Sequence, residues 1–504
     1  MSRKNGGIIG PANTPVGGLL TGVAGGVWRM NDVANFVGNS QWPKVPENID
    51  NSLRFDDGST DYLRRTPSSA GNRRTFTFST WIKRSALGSI NRSIICANVD
   101  TANKTMLRFT DSDEIRFVRF TTGGATNQLI TNAKFRDVSA WYHIVLAVDT
   151  TNSTAGDRLR LYVNGSEITS FSTESQPTQN YDYDINNTEE HNIGLGTDTD
   201  THLFDGYMAE VVLIDGQQLD PTSFGEFDTT TGIWKPKKIG QIANAGTNSF
   251  YLDFKDSSNV GNDASGLSNN FTVNNLTSID QSTDTCVVNY ATYNSLDDYF
   301  QADTLSNGNL TMTGGGQYAP RTGSMALNNG KWYWEIQVNN WESSDGTSIG
   351  ISSKTATAAN YEFVNDSGAT VGYGYFSNGV VYGNGSSQAT GYSTASGTHI
   401  IGVALNLTDN KIAWSYDGTW QGSTDPGSGN TNMISITDPA SLTSGTYFPA
   451  FSQKDNSRVL NVNFGSPSFS ISSGNSDANG HGNFEYAVPS GYYALNTSNL
   501  NTYG

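Results

Sequence analysis

Cleaving a glycosidic bond with retention takes two carboxyl groups about 5 Å apart, and on a β-strand alternate positions supply them, because residues two apart share a face. No Glu-x-Asp-x-x-Glu run of that kind occurs in the chain. The nearest strand-like candidate, Glu210-Val-Val-Leu-Ile-Asp215, spaces its carboxylates by five and so puts them on opposite faces, as ordinary strand-edge charges would be. Serine-type catalysis needs a histidine beside a nucleophile. The five histidines, His143, His191, His202, His399 and His481, are scattered without such a context.

Hard-cation chemistry has a better candidate. Asp253, Asp256, Asn259, Asn262 and Asp263, punctuated by Gly261 and Gly266, make an oxygen-rich loop of the sort that supplies six to eight ligands to calcium, although the EF-hand spacing is missing. The competing reading is a set of solvated Asx turns. Asp198, Asp200 and Asp205 form a second acidic group open to the same two readings. Sugar recognition stacks aromatic faces on pyranose rings and hydrogen-bonds hydroxyls through Asn and Asp. Trp341, Tyr373, Tyr375, Tyr382 and Trp420 sit in or near Gly/Asn/Ser loops and are candidates for exposed contacts, or for plugs at the sandwich ends or a subunit interface. Trp332 and Trp334 share one strand face and read as core, with Tyr333 and Glu335 facing the other way.

The elements that position these residues are read from composition and periodicity. The 504 residues carry 30 Lys and Arg against 47 Asp and Glu, a formal charge of −17 that repels phosphate backbones and anionic lipid, so nucleic acid and membranes are not expected partners. Charged residues are only 15%, while 54 glycines and 11% aromatics describe a turn-rich β-protein with enough large side chains to build cores. Cys96 and Cys286 stand 190 positions apart, which suggests neither a disulfide framework nor a zinc site and fits synthesis in a reducing compartment. Pro11, Asn13 and Pro15 interrupt the apolar run after Met1-Ser-Arg-Lys, so no signal peptide is expected.

Period-2 alternation dominates, which predicts an all-β chain. Tyr142, Ile144, Leu146 and Val148 line one face of a strand; Leu159, Leu161 and Val163 line the next, which ends at Asn164-Gly165, a type I′ hairpin signal. Ile401, Val403, Leu405 and Leu407 repeat the plan, followed by Lys411 to Tyr416 and Asp417-Gly418. Two antiparallel sandwiches of related architecture follow from this, with His143 and His399 at equivalent points, which favours architectural roles. The predicted divisions are an extended arm at 1–47, a first sandwich at 48–240, an Asn/Asp/Ser-rich connector at 241–285, a second sandwich at 286–470 and a tail at 471–504. In the arm, Ile8, Ile9, Leu19, Leu20, Val23, Val27, Trp28 and Phe36 are too apolar for a solvated linker, so it is expected to dock on a partner or a neighbouring subunit.

The first sandwich resembles the concanavalin A-like, laminin-G-type jelly roll. The resemblance rests on Arg74-Thr-Phe-Thr-Phe-Ser-Thr-Trp-Ile-Lys-Arg84, Trp141-Tyr-His-Ile-Val-Leu-Ala-Val148, Leu161-Tyr-Val-Asn-Gly165 and Phe204-Asp-Gly-Tyr-Met-Ala-Glu-Val211. The second resembles a SPRY domain through Gly330-Lys-Trp-Tyr-Trp-Glu-Ile-Gln-Val338, Ile349-Gly-Ile351, His399-Ile-Ile-Gly-Val-Ala-Leu405, Lys411-Ile-Ala-Trp-Ser-Tyr-Asp-Gly418 and Tyr447-Phe-Pro-Ala450. The laminin-G likeness implies that the region of Asp198, Asp200 and Asp205 is one where some relatives hold calcium. The SPRY likeness implies a ligand surface at one end of the sandwich, carried by Trp341, Asp345, Tyr382 and Trp420.

The combination is similar to virion proteins of tailed bacteriophages, particularly tail-fibre-like proteins of marine phages. That likeness rests on Gly7-Ile-Ile-Gly-Pro-Ala-Asn13 with Gly26-Val-Trp28, Ile214-Asp-Gly-Gln-Gln-Leu-Asp-Pro221 running into Gly232-Ile-Trp-Lys-Pro236, Asn262-Asp-Ala-Ser-Gly-Leu-Ser-Asn-Asn-Phe-Thr-Val273 and Val488-Pro-Ser-Gly-Tyr-Tyr-Ala-Leu-Asn-Thr-Ser-Asn-Leu500. It implies a non-enzymatic surface component of a virion, self-associated, joined to other virion proteins by the arm and binding a host-surface glycan or protein. A purely architectural decoration or baseplate protein and a polysaccharide depolymerase are the alternatives.

Overall fold

The computed structural model describes residues 49–197, 202–237, 239, 245–297, 303–316, 320–342, 346–353, 363–364, 371–454 and 458–504. The docking arm and Asp198, Asp200 and Asp345 lie outside them. Two antiparallel β-sandwiches account for nearly all the described elements, as the period-2 pattern predicts. No helix among the described residues is long and apolar enough to cross a membrane.

The first sandwich packs two sheets. One runs in the order Ser166–Glu167, Leu159–Val163, Trp141–Asp149, Thr75–Arg84, Gly206–Asp215, Ser52–Phe55 and Gln281–Ser282, with Phe250–Leu252 also paired to Gly206–Asp215. The other runs Phe171–Glu174, Gly124–Lys134, Glu114–Thr121, Lys104–Phe109, Arg92–Asn98, Glu190–Ile193, Tyr62–Arg65 and Thr272–Asn274. Their inner faces meet in a core that includes Phe78, Ile144, Leu146, Val148, Leu107, Phe117 and Ile193. Burying side chains of this size stabilises by about 1.5–3 kcal/mol each, which offsets the ordering entropy of long loops.

Residues 245–285, read from sequence as a connector, are part of this sandwich. Phe250–Leu252, Thr272–Asn274 and Gln281–Ser282 extend both sheets, and Phe254, Val260 and Phe271 enter the core. These strands have only two or three residues, too few to show alternation.

The second sandwich pairs Thr304–Ser306, Thr311–Thr313, Val459–Asn463, Lys331–Val338, His399–Asn406, Lys411–Tyr416 and Thr419–Trp420 in one sheet. Its other sheet holds Arg321–Thr322, Phe448–Ser452, Ser348–Ser352, Gly372–Phe376, Val381–Gly383 and Ser386–Ala389. Trp332, Trp334 and Trp414 are fully buried between them. The repeated plan is present in both sandwiches: Trp141–Asp149 pairs with Leu159–Val163, and His399–Asn406 with Lys411–Tyr416. The turns Asn164-Gly165 and Asp417-Gly418 have φ of 48° and 77°, and 45° and 76°, the doubly positive geometry of a type I′ turn.

The tail is packed rather than free. Tyr493–Ala494 adds a parallel strand beside Trp332 and Tyr333, and the helix Thr497–Tyr503 is capped by the Asn496 side chain, which accepts from the Asn499 amide. The anchor is Glu335, fully buried on the outer face of its sheet. Its carboxylate accepts from the Glu485 and Tyr486 amides at 2.9 and 2.8 Å and from the Tyr333 hydroxyl at 2.9 Å. Burial raises the Glu335 pKa, and these bonds to the charged form oppose the rise.

Candidate functional site

Of the four residues named for the SPRY-type ligand surface, Asp345 lies outside the described residues, and Trp341, Tyr382 and Trp420 stand in three different packing environments. Trp341 is fully buried, its indole nitrogen donating to the Ser393 carbonyl and its ring tilted against Tyr375 at 5.0 Å, because the end of the sandwich closes over it. Tyr373 and Tyr375 are buried as well. Tyr382 is half-buried against Phe376 on the outer face of one sheet, whereas Trp420 packs on Tyr333 and the tail on the outer face of the other. Of the two readings the sequence leaves for these aromatics, exposed contacts or plugs at the sandwich ends, the burial of Trp341, Tyr373 and Tyr375 matches the plugs.

The Asp-rich loop spends its oxygens on its own backbone. Asp253 accepts from the Lys255 amide, Asp256 from Ser258, Asn259 from the Gly261 amide, and the buried Asp263 from the amides of Tyr251, Ser265 and Asn269. These are Asx turns. Among the described residues no group of three or more His, Cys, Asp or Glu is placed to hold a metal ion. Asp205 is buried beside Asp57 and Asp56, and burial first, then those charges, push its pKa to about 8.

Glu210 and Asp215 also have structural partners. Glu210 stands at a β-bulge with φ of 51° and takes the Tyr251 hydroxyl at 2.6 Å. Asp215 is 2% exposed and accepts from the amides of Asn72 and Asn248 and from the Asn186 side chain, fastening three loops. His143 is wedged between Trp81 and Trp234, ring centroids 4.7 and 5.9 Å away; Nδ1 accepts from the Trp234 indole at 3.0 Å, so Nε2 donates to Ser79 Oγ at 2.9 Å. Gly165 makes room for this indole, since a Cβ there would come within 2.3 Å of it. His399, its counterpart, meets Asp417 at 2.7 Å and lies over Tyr416.

A different set of side chains converges on the outer face of the first sandwich's second sheet. Strand pairing lines up Thr272, Arg64, Asn192, Cys96, Met106 and Val118 in one row across six strands. In adjacent rows Arg108 lies opposite Arg116, and Lys104 opposite Phe120. Cys96, Met106 and Val118 make a small apolar floor with Phe120 packed on it, and Lys104, Arg108 and Arg116 surround that ring at 5.9, 5.4 and 5.2 Å from its centroid. Arg64 lies over Tyr62 at 5.0 Å and pairs with Glu190 at 3.3 Å; Arg116 donates to Gln128 at 2.6 Å, and burial lowers its pKa.

Like charges directly opposite in an antiparallel pair destabilise it. Arg108 facing Arg116 is therefore a pairing that sheet stability alone does not select. In a chain of net charge −17 this face gathers four cations, two aromatic rings and several amides. Guanidinium groups bind carboxylate or sulfate in a fork, and a ring accepts the C–H face of a sugar. The sequence reading missed the cluster. Its legible part was the alternation Lys104-x-Met106-x-Arg108 and Arg116-x-Val118-x-Phe120; the placement of Arg64 and Asn192 beside it comes only from strand order.

Comparison with known proteins places two domains on the two sandwiches. Residues 57–219 match the family model of the concanavalin A-like lectin/glucanases superfamily, of the laminin G type, and residues 331–467 match that of the SPRY domain. Both are β-sandwich folds that serve in binding carbohydrate or protein. Among solved structures, the SPRY domain of human HERC1 is similar at 16% identity over 34% of this chain and 96% of its own, with a TM-score of 0.26. A putative carbohydrate binding protein from Bacteroides ovatus is similar at 18% identity over 46% of this chain, TM-score 0.32, and this chain spans 60% of its length. The mouse laminin α1 chain domains LG4-5 are similar at 13% identity over 82% of this chain and 89% of their own, TM-score 0.28. No curated protein matches the chain.

Proposed function

We propose that this chain is a non-enzymatic recognition protein whose first sandwich binds an acidic glycan on the face built by Arg64, Lys104, Arg108, Arg116 and Phe120. The observation that carries the reading is the convergence of three cations within 6 Å of one aromatic ring on a sheet face. A uronate or sulfated sugar matches that arrangement: its anion pairs with the guanidinium groups and its apolar ring face covers Phe120. Each cation–π contact contributes about 0.5–1 kcal/mol at an exposed site, so specificity rests on the guanidinium–anion bonds.

The test is titration of the chain with acidic oligosaccharides and their neutral counterparts. Acidic ligands bind, affinity falls as salt rises, and Arg116→Glu with Lys104→Glu weakens binding about tenfold or more, equivalent to about 1.4 kcal/mol. Acidic-ligand binding that is indifferent to salt and to the charge reversals, or no binding of any acidic ligand, overturns the reading.

The likeness of four segments to phage virion proteins supports a setting on a particle surface, where this binding serves host adhesion and the apolar arm, with Ile8, Ile9 and Trp28, joins a neighbour in a homo-oligomer. Mass spectrometry of purified particles tests that setting independently of the glycan titration.

A further inference from the structure

A separate cavity of about 250 Å³ lies where the two sandwiches join. One wall comes from Ser278, Ile279 and Gln281, the last strand region of the first sandwich; the facing wall comes from Pro467, Phe469 and Ser470, just past the strand Val459–Asn463 of the second. The buried Arg54 guanidinium fixes both walls at once, donating to the Ile279 carbonyl at 2.9 Å and to the Pro467 carbonyl at 3.2 Å. The Ser282 and Ser466 hydroxyls meet at 2.7 Å behind them. The cavity is thus preformed, which removes the ordering cost that a loop site incurs on binding.

Its lining is chemically specific. No Asp, Glu, Lys, Arg or His lines it; Ile279, Pro467, Phe469 and Ile471 give it apolar walls, and Ser, Thr, Gln and Asn side chains supply hydroxyls and amides. Drug-sized ligands occupy about 300–1,000 Å³, so this space suits a single ring. A small ring with one apolar face, many hydroxyls and no charge has the complementary surface. We infer that this seam cavity is a second carbohydrate subsite, for an uncharged pyranose unit, distinct from the cationic face in both location and ligand charge.

The experiment is saturation-transfer NMR on the full chain with neutral methyl pyranosides and, separately, with uronates. Neutral sugars show transfer in the unmodified chain. Ser470→Trp, an exposed position at the mouth, abolishes it, and Asn483→Ala weakens it about threefold or more; circular dichroism confirms that each variant is folded. Absence of transfer from every neutral pyranoside, or transfer from neutral pyranosides that survives Ser470→Trp, overturns the inference. Because this readout is transfer from neutral sugars scored at Ser470 and Asn483, failure here is distinguishable from failure of the acidic-glycan reading, which is read with charged ligands and the charge reversals.

Discussion

At the scale of the residue, the chemistry of the buried histidines follows from their surroundings. Burial lowers the pKa of His143 to about 3 and of His191 to about 4, and His191 is neutral with Nδ1–H donating to the Glu189 carbonyl and Nε2 accepting from the Asn186 amide. The unfolded chain binds these protons near pH 6.5. Their stabilisation is therefore complete above about pH 6.5 and is lost as pH falls toward 4 and 3, on the order of a few kcal/mol for each group. Thermal unfolding followed from pH 7 to 4 falls steeply in the wild-type chain, and His143→Gln flattens that slope; equal slopes would show that His143 does not stay neutral when folded. Sequence made His143 legible as architectural through its place in a repeated strand plan. It could not show the Trp81–Trp234 slot, because Trp234 lies 91 positions away and reaches the ring through a bond across the sheet's outer face.

At the scale of the element, long alternating strands and their Asn-Gly and Asp-Gly turns were legible, since side-chain periodicity and positive φ are local properties. Elements without local periodicity were not. The tail reads as a Gly/Ser/Asn stretch, yet Glu335 and Asp477 hold it: Asp477 accepts from the Ala494 amide at 3.0 Å and the Asn499 side chain at 2.7 Å. Glu335→Gln leaves one backbone N–H facing an amide donor, a loss of about 1–3 kcal/mol localised to the tail. Limited proteolysis then cleaves within 472–486 faster than in wild type while the sandwich cores remain protected; an unchanged cleavage rate would mean that Phe484 and its apolar neighbours hold the tail without the carboxylate.

At the scale of the whole molecule, the two sandwiches are joined by buried polar contacts as well as by the chain. Lys83, 1% exposed and paired to the equally buried Asp284 of the same sandwich at 2.8 Å, reaches across with its ammonium to the Asn289 side chain and the Tyr290 carbonyl. Tyr207 donates to the Gly308 carbonyl and the Asn309 side chain to the Ser85 carbonyl across the same seam. Removing one member of such a pair strands the other charge, which costs about 3–5 kcal/mol. Lys83→Met is expected to split denaturant unfolding into two transitions, one per sandwich, with the Lys83→Met/Asp284→Leu pair closer to wild type; a single unshifted transition would show that the seam contributes nothing to coupling. The sequence by itself determined that the chain is all-β, that it forms two sandwiches of one plan and that Trp332 and Trp334 enter a core, because alternation and turn chemistry act over a few neighbours. Only the tertiary structure assembles the two candidate recognition sites. The cationic face gathers Arg64, Lys104 and Phe120 through strand order, and the seam cavity needs walls nearly 190 residues apart, so both exist only once non-local pairing has brought distant segments to one surface.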